Sequence, residues 1–92
     1  MKSADLPEIL AIECVSFPTP WTEGMFLDEL RTQHAHCLVV KVEIADKVVI
    51  GAYIIFWLVA GEVHLHNLAV RKEFRRQGLA YNLMKLMKDI AG

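Results

Sequence analysis

The chain has 92 residues, which allows one small domain with a modest core. Its 10 basic and 11 acidic residues give a net charge of −1, which removes the electrostatic basis for a general nucleic-acid or anionic-membrane binder. Hydrophobic residues make up 54% of the chain. That share argues against disorder and predicts strands buried on both faces, or an apolar surface facing a partner.

Asp5 or Ser3 is placed to cap a first helix beginning near Leu6, with Pro7 tolerated in its first turn. Leu6, Ile9, Leu10, Ile12, Glu13 and Val15 give it an approximate helical period to about Ser16, where Phe17-Pro18-Thr19-Pro20 breaks it. Thr22 caps a second helix, Glu23 to about Arg31, expected to bury Met25, Phe26 and Leu30. His36 to Ile44 reads as a strand and Asp46-Lys47 as a hairpin turn. Val48 to Val59 is a long apolar second strand, in which Tyr53, Phe56 and Trp57 read as core. Ala60-Gly61 turns the chain into a third strand, Glu62 to Val70. Gly78 opens a last helix with Leu79, Leu83, Leu86, Met87 and Ile90 at spacings of three and four. The expected fold class is α+β, a single domain over residues 1–92 with a three-stranded antiparallel meander.

The longest apolar run, Val48 to Ala60, has 13 residues, too short for a membrane span. Asp5 and Glu8 interrupt any early apolar run of a signal peptide. Cys14 and Cys37 form no CxxC pair and read as buried free thiols in a reducing compartment. A soluble cytoplasmic protein is expected. His34-x-His36 and His64-x-His66 lack a completing cysteine or carboxylate at a usual spacing, so no metal site is expected.

The chemistry-bearing segment is Arg75-Arg76-Gln77-Gly78-Leu79-Ala80, between a strand and a helix. A phosphate needs several backbone N–H donors aimed at one spot. The first turn of a helix supplies them unsatisfied, with the positive end of the helix dipole. Gly78 removes the Cβ that would hold a ligand off, and Ala80 keeps the approach close. The donors are expected to be the N–H groups of Arg76 through Tyr81. Arg71, Lys72, Arg75 and Arg76 fall within six positions, a local charge that suits a small anion. No Gly-Lys-Ser/Thr follows and GxGxxG is absent, so neither the Walker nor the dinucleotide pattern applies. A helix start that merely needs glycine is the plainer reading of this turn taken alone.

Glu62-Val63-His64-Leu65-His66-Asn67-Leu68-Ala69-Val70, a short basic stretch and Arg-Arg-Gln-Gly-Leu-Ala together resemble motif A of the GNAT superfamily of N-acetyltransferases. Phe17-Pro18-Thr19-Pro20-Trp21-Thr22 resembles the substrate loop of its RimI-like branch, which acetylates the N-terminal alanine of a ribosomal protein. The resemblance implies acetyl-CoA as cosubstrate. Leu68, Ala69 and Val70 would meet the pantetheine arm, Arg75 to Tyr81 (with Gln77, Gly78, Leu79 and Ala80) would hold the pyrophosphate, and Trp21, Thr22 and Glu23 would border the acceptor. The acceptor would be a protein N-terminus or a small amine.

The same resemblance places the usual base and the tyrosine acid beyond Gly92, and a first strand before Ser3. The chain is thus expected to be a partial domain with weak or absent turnover. Glu62 and His64 are the remaining candidates for a base. An exposed edge on the third strand would allow a homodimer. The rival expectation is a non-catalytic module that binds coenzyme A or a partner protein.

Overall fold

The local pattern of apolar and turn residues is realised as six regular elements in the computed structural model, which describes residues 1–92. They are α1 (Leu6–Ser16), α2 (Glu23–Arg31), β1 (Ala35–Ile44), β2 (Lys47–Val59), β3 (Glu62–Val70) and α3 (Leu79–Ala91). Two short 3-10 turns, Ser3–Asp5 and Lys72–Phe74, complete the chain. The strands form one antiparallel sheet in the order β1-β2-β3, the expected α+β meander.

Both hairpins turn on two residues with positive φ, Ala45-Asp46 and Ala60-Gly61. The first turn therefore sits one residue earlier than the sequence suggests. Aspartate and glycine tolerate the left-handed region that such tight turns require.

β2 is apolar on both faces because helices cover both. Ile50, Tyr53 and Ile55 pack with Leu6, Ile9, Ile12 and Phe26 of α1 and α2. Ala52, Ile54 and Phe56 pack with Leu83 and Met87 of α3 on the other face. Phe26 is fully buried; truncating such a ring to alanine costs about 3–5 kcal/mol.

Several details depart from the periodicity. Val15 is 72% exposed and Met25 is exposed, so neither joins the core. Leu86 and Ile90 of α3 are also exposed. Asp5 does not cap α1. Its carboxylate accepts the Lys2 N–H at 2.8 Å and closes the 3-10 turn instead. Thr22 does cap α2, accepting the Met25 N–H at 3.3 Å. Cys14 is exposed rather than buried. Cys37 is half-buried, and burial, then the nearby Glu29 carboxylate, pushes its thiol up against an opposing pull from the N-terminal amine.

Each hairpin carries one register shift. Between Val40/Lys41 of β1, Gly51 is the extra residue on β2. Between Ile55/Phe56 of β2, His66 is the extra residue on β3. A bulge of this kind bends the strand and re-aims a side chain.

Candidate active site

The cleft of this domain opens where β3 ends and α3 begins. It has a volume of about 420 Å³ and is lined by Leu68, Ala69 and Val70 of β3, Arg75, Arg76, Gly78, Leu79 and Ala80 of the turn, and Ser16, Phe17 and Phe74. Eight of the ten residues expected at a cofactor site thus meet in one place. Gln77 and Tyr81 do not line it. Tyr81 is 71% exposed. Gln77 folds its amide back to the Glu73 carbonyl, 3.4 Å away.

Backbone geometry sets the turn. Arg76 and Gly78 both have positive φ, 68° and 79°. The first helical bond of α3 runs from the Asn82 N–H to the Gly78 carbonyl at 2.9 Å. The N–H groups of Arg76, Gln77, Gly78, Leu79, Ala80 and Tyr81 donate to no backbone or side-chain acceptor in the chain. These are six consecutive donors without an acceptor in the chain, at the positive end of a 13-residue helix, where an anion is stabilised. A Cβ built on Gly78 would have nothing within 4 Å, so the space over the turn is open. These features fit a diphosphate on the turn and an extended arm along β3.

The basic cluster does not act as one patch. Arg71 is committed to structure: its Nε donates to the Ile50 carbonyl at 2.8 Å and its Nη2 to Glu8 at 2.6 Å. Arg75 spans the cleft wall, donating to the Val70 carbonyl at 3.1 Å and to Ser16 Oγ at 3.2 Å. Arg76 keeps an exposed guanidinium at the turn.

Beneath the turn, Gly51 makes a close approach. A Cβ there would lie 2.8 Å from Val42, 3.2 Å from Phe74 and 3.3 Å from Leu79. Phe74 and Leu79 flank the Gly78 turn on either side. Gly51→Val is therefore expected to cost about 1–3 kcal/mol and to displace the turn, checked by thermal unfolding with and without coenzyme A.

Trp21, Thr22 and Glu23 do not line the cleft. Trp21 packs on Phe26 with ring centroids 5.2 Å apart, and its backbone N–H donates to Glu13 Oε2 at 2.9 Å. Glu62 and His64 pair with each other at 3.5 Å at the far end of β3, both largely exposed and outside the cleft.

Sequence reading missed the buried carboxylate that organises this region. Glu13 is 1% exposed. Its Oε1 accepts the Tyr53 hydroxyl at 2.5 Å and the Asn67 amide at 2.9 Å, while Oε2 accepts the Trp21 N–H. One side chain thus joins α1, the loop before α2, β2 and β3. The available signal was a glutamate on the apolar face of a helix, which only donors from elsewhere make tolerable. Phe74, the one aromatic in a run of charges, was a second such signal.

Strand, turn and helix in this arrangement define a domain of the GNAT class. The description "Acetyltransferase (GNAT) family" matches residues 6–92, and the chain belongs to that family. It is 33% identical over 86 residues to a Bacillus subtilis (strain 168) protein provisionally named as a [ribosomal protein bS18]-alanine N-acetyltransferase, covering 92% of this chain and 54% of that protein. It also resembles the crystal structure of the ribosomal-protein-S18-alanine N-acetyltransferase from Escherichia coli, with a TM-score of 0.82 and 25% identity over 99% of this chain and 56% of that one. The chain spans about half the length of these relatives. No helix is long and apolar enough to cross a membrane.

Proposed function

We propose that this domain binds acetyl-CoA as the cosubstrate of an N-acetyltransferase acting in the cytoplasm. The six unbonded N–H groups from Arg76 to Tyr81 around Gly78 carry the reading. They would hold the pyrophosphate, with Arg76 adding charge. Leu68, Ala69 and Val70 would receive the pantetheine arm along the outer edge of β3. Acetyl-CoA supplies an activated acetyl group on a thioester. The chain's own residues bind it, orient it and border the amine that takes the acetyl group.

The acceptor class follows from the relatives: a protein N-terminal amine of the ribosomal-protein alanine type, or a small amine. The loop at Trp21, Thr22 and Glu23, fixed through Glu13, would stand on the acceptor side. Calorimetric titration with acetyl-CoA tests the binding reading, and saturable heat is expected. Titration without heat, at millimolar ligand, would remove it.

A second reading is favoured by one observation: Glu62 and His64 stand outside the cleft. On that reading the chain is a non-catalytic module for coenzyme A or a partner protein. Mass analysis of an alanine-initiated peptide incubated with the chain and acetyl-CoA separates the two. Because β3 is an edge strand, pairing of two copies along it is a further part of the proposal, readable on a sizing column.

A further inference from the structure

Arg75 ties the two walls of the cleft together. Its Nε donates to the Val70 carbonyl at 3.1 Å on the β3 side, and its Nη2 donates to Ser16 Oγ at 3.2 Å on the α1 side. Val70, Arg75 and Ser16 all line the cleft. Arg71 is held differently, by an ion pair with Glu8 at 2.6 Å. No carboxylate lies within ion-pair distance of Arg75, so a full positive charge rests on two neutral acceptors. Both bonds are exposed, so water competes for them.

The carbonyl that Arg75 engages has a particular place. β3 is an edge strand. The Arg71 N–H donates inward to the Gly51 carbonyl at 2.8 Å, and successive residues of an antiparallel pair face opposite ways. Val70 therefore aims its N–H and C=O at the open edge. Leu68 does the same, because the register shift of this strand falls before it. Val70 is the outward residue nearer the Gly78 turn. An arm that leaves a diphosphate on the turn and pairs along the edge meets the Val70 carbonyl first, and the Arg75 guanidinium already stands on it. The free donors begin at the next residue, Arg76, so a diphosphate on them is within a side chain's reach of Arg75.

We propose that Arg75 is a specificity-determining residue: a displaceable clasp that admits a pantetheine arm only when the arm carries its diphosphate. The inference rests on the acetyl-CoA reading above. A pantetheine thioester without phosphates must break both Arg75 bonds and leaves the guanidinium to water. A coenzyme A thioester breaks the same bonds but offers anionic oxygens to the freed guanidinium, which are stronger partners than a carbonyl or a hydroxyl. The choice between the two classes is a difference of affinities, and the clasp contributes by disfavouring the wrong one.

Titration of the 92-residue chain with pantetheine and with coenzyme A, read by proton–nitrogen NMR shifts of the Leu68, Val70 and Gly78 amides, provides the test. Arg75→Met keeps the aliphatic stem and removes the donors and the charge. It is expected to bind pantetheine about fivefold more tightly than the wild type and coenzyme A about tenfold more weakly. The preference for coenzyme A then shrinks by about 50-fold. Ser16→Ala removes one acceptor and keeps the guanidinium, so both ligands are expected to bind about twofold more tightly. Pantetheine binding in Arg75→Met that is absent, equal to the wild type or weaker overturns the clasp and leaves the cofactor reading standing. The same outcome in Ser16→Ala does so if Arg75→Met fails to fold, and so does an unaltered preference in Arg75→Met. Coenzyme A that shifts no amide of the wild type overturns the acetyl-CoA reading and this inference with it.

Discussion

The Gly78→Glu variant is expected to keep its fold and to lose acetyl-CoA binding by about 100-fold or more, roughly 2.7 kcal/mol. Gly78 has φ 79°, where an L-residue carries a strain of about 1–2 kcal/mol. No atom lies within 4 Å of an added Cβ, so the side chain meets no clash and enters the open space over the turn. That is the space a diphosphate would occupy. The carboxylate would also sit at the positive end of α3 and satisfy the donors meant for the ligand. Gly78→Ala separates the two effects: it brings the backbone strain without the charge, so a similar stability loss with a much smaller loss of binding is expected. Calorimetric titration paired with denaturant unfolding checks both. Wild-type affinity in Gly78→Glu would show that the phosphates do not rest on this turn.

Glu13→Leu is expected to destabilise the domain by about 2–6 kcal/mol, because two buried partners, the Tyr53 hydroxyl and the Asn67 amide, lose their acceptor at about 1–3 kcal/mol each. A domain of this size has only about 5–14 kcal/mol in total. Glu13→Gln is milder and more selective. Its carbonyl can still serve Tyr53 and Asn67, but its NH2 would face the Trp21 N–H, donor against donor. It is expected to release the loop before α2 at a cost of about 1–2 kcal/mol. Urea unfolding followed by tryptophan fluorescence reads both variants.

The same network predicts a pH dependence. Burial first, then the hydrogen bond to Glu13 and that group's negative charge, raises the pKa of Tyr53 well above the ordinary value near 10. The unfolded chain therefore loses this proton above about pH 10 while the folded chain keeps it. The folded state binds more protons in that range, so this contribution to stability is intact below about pH 10 and falls as pH rises further. Tyr53→Phe is expected to flatten that decline; an unchanged alkaline profile would assign it to other groups.

The elements were legible because their signals are local. Thr22 before Glu23, the run from Val48 to Val59 and glycine at positions 61 and 78 mark a cap, a two-sided strand, a turn and a helix start. The cleft was legible for a related reason: Leu68 to Ala80 is nearly continuous in sequence. What could not be read depends on pairing across the fold. The bulges at Gly51 and His66 exist only as mismatches between strands. The commitment of Arg71 to Glu8 joins residues 63 apart, so its charge looked free in a linear count. Glu13 finds its donors only after helix and sheet meet.

That last dependence has a kinetic side. Both hairpins close on two-residue turns, whereas the bonds from Glu13 to Tyr53 and Asn67 close loops of 40 and 54 residues. Short closures are fast and long ones are slow. The meander is therefore expected to zip first and the first helix to dock late, with the carboxylate acting as a latch. A latch absent from the transition state governs escape rather than arrival. In a stopped-flow chevron, Glu13→Gln is expected to raise the unfolding rate with little change in the refolding limb, so the lifetime of the native state depends on this one glutamate.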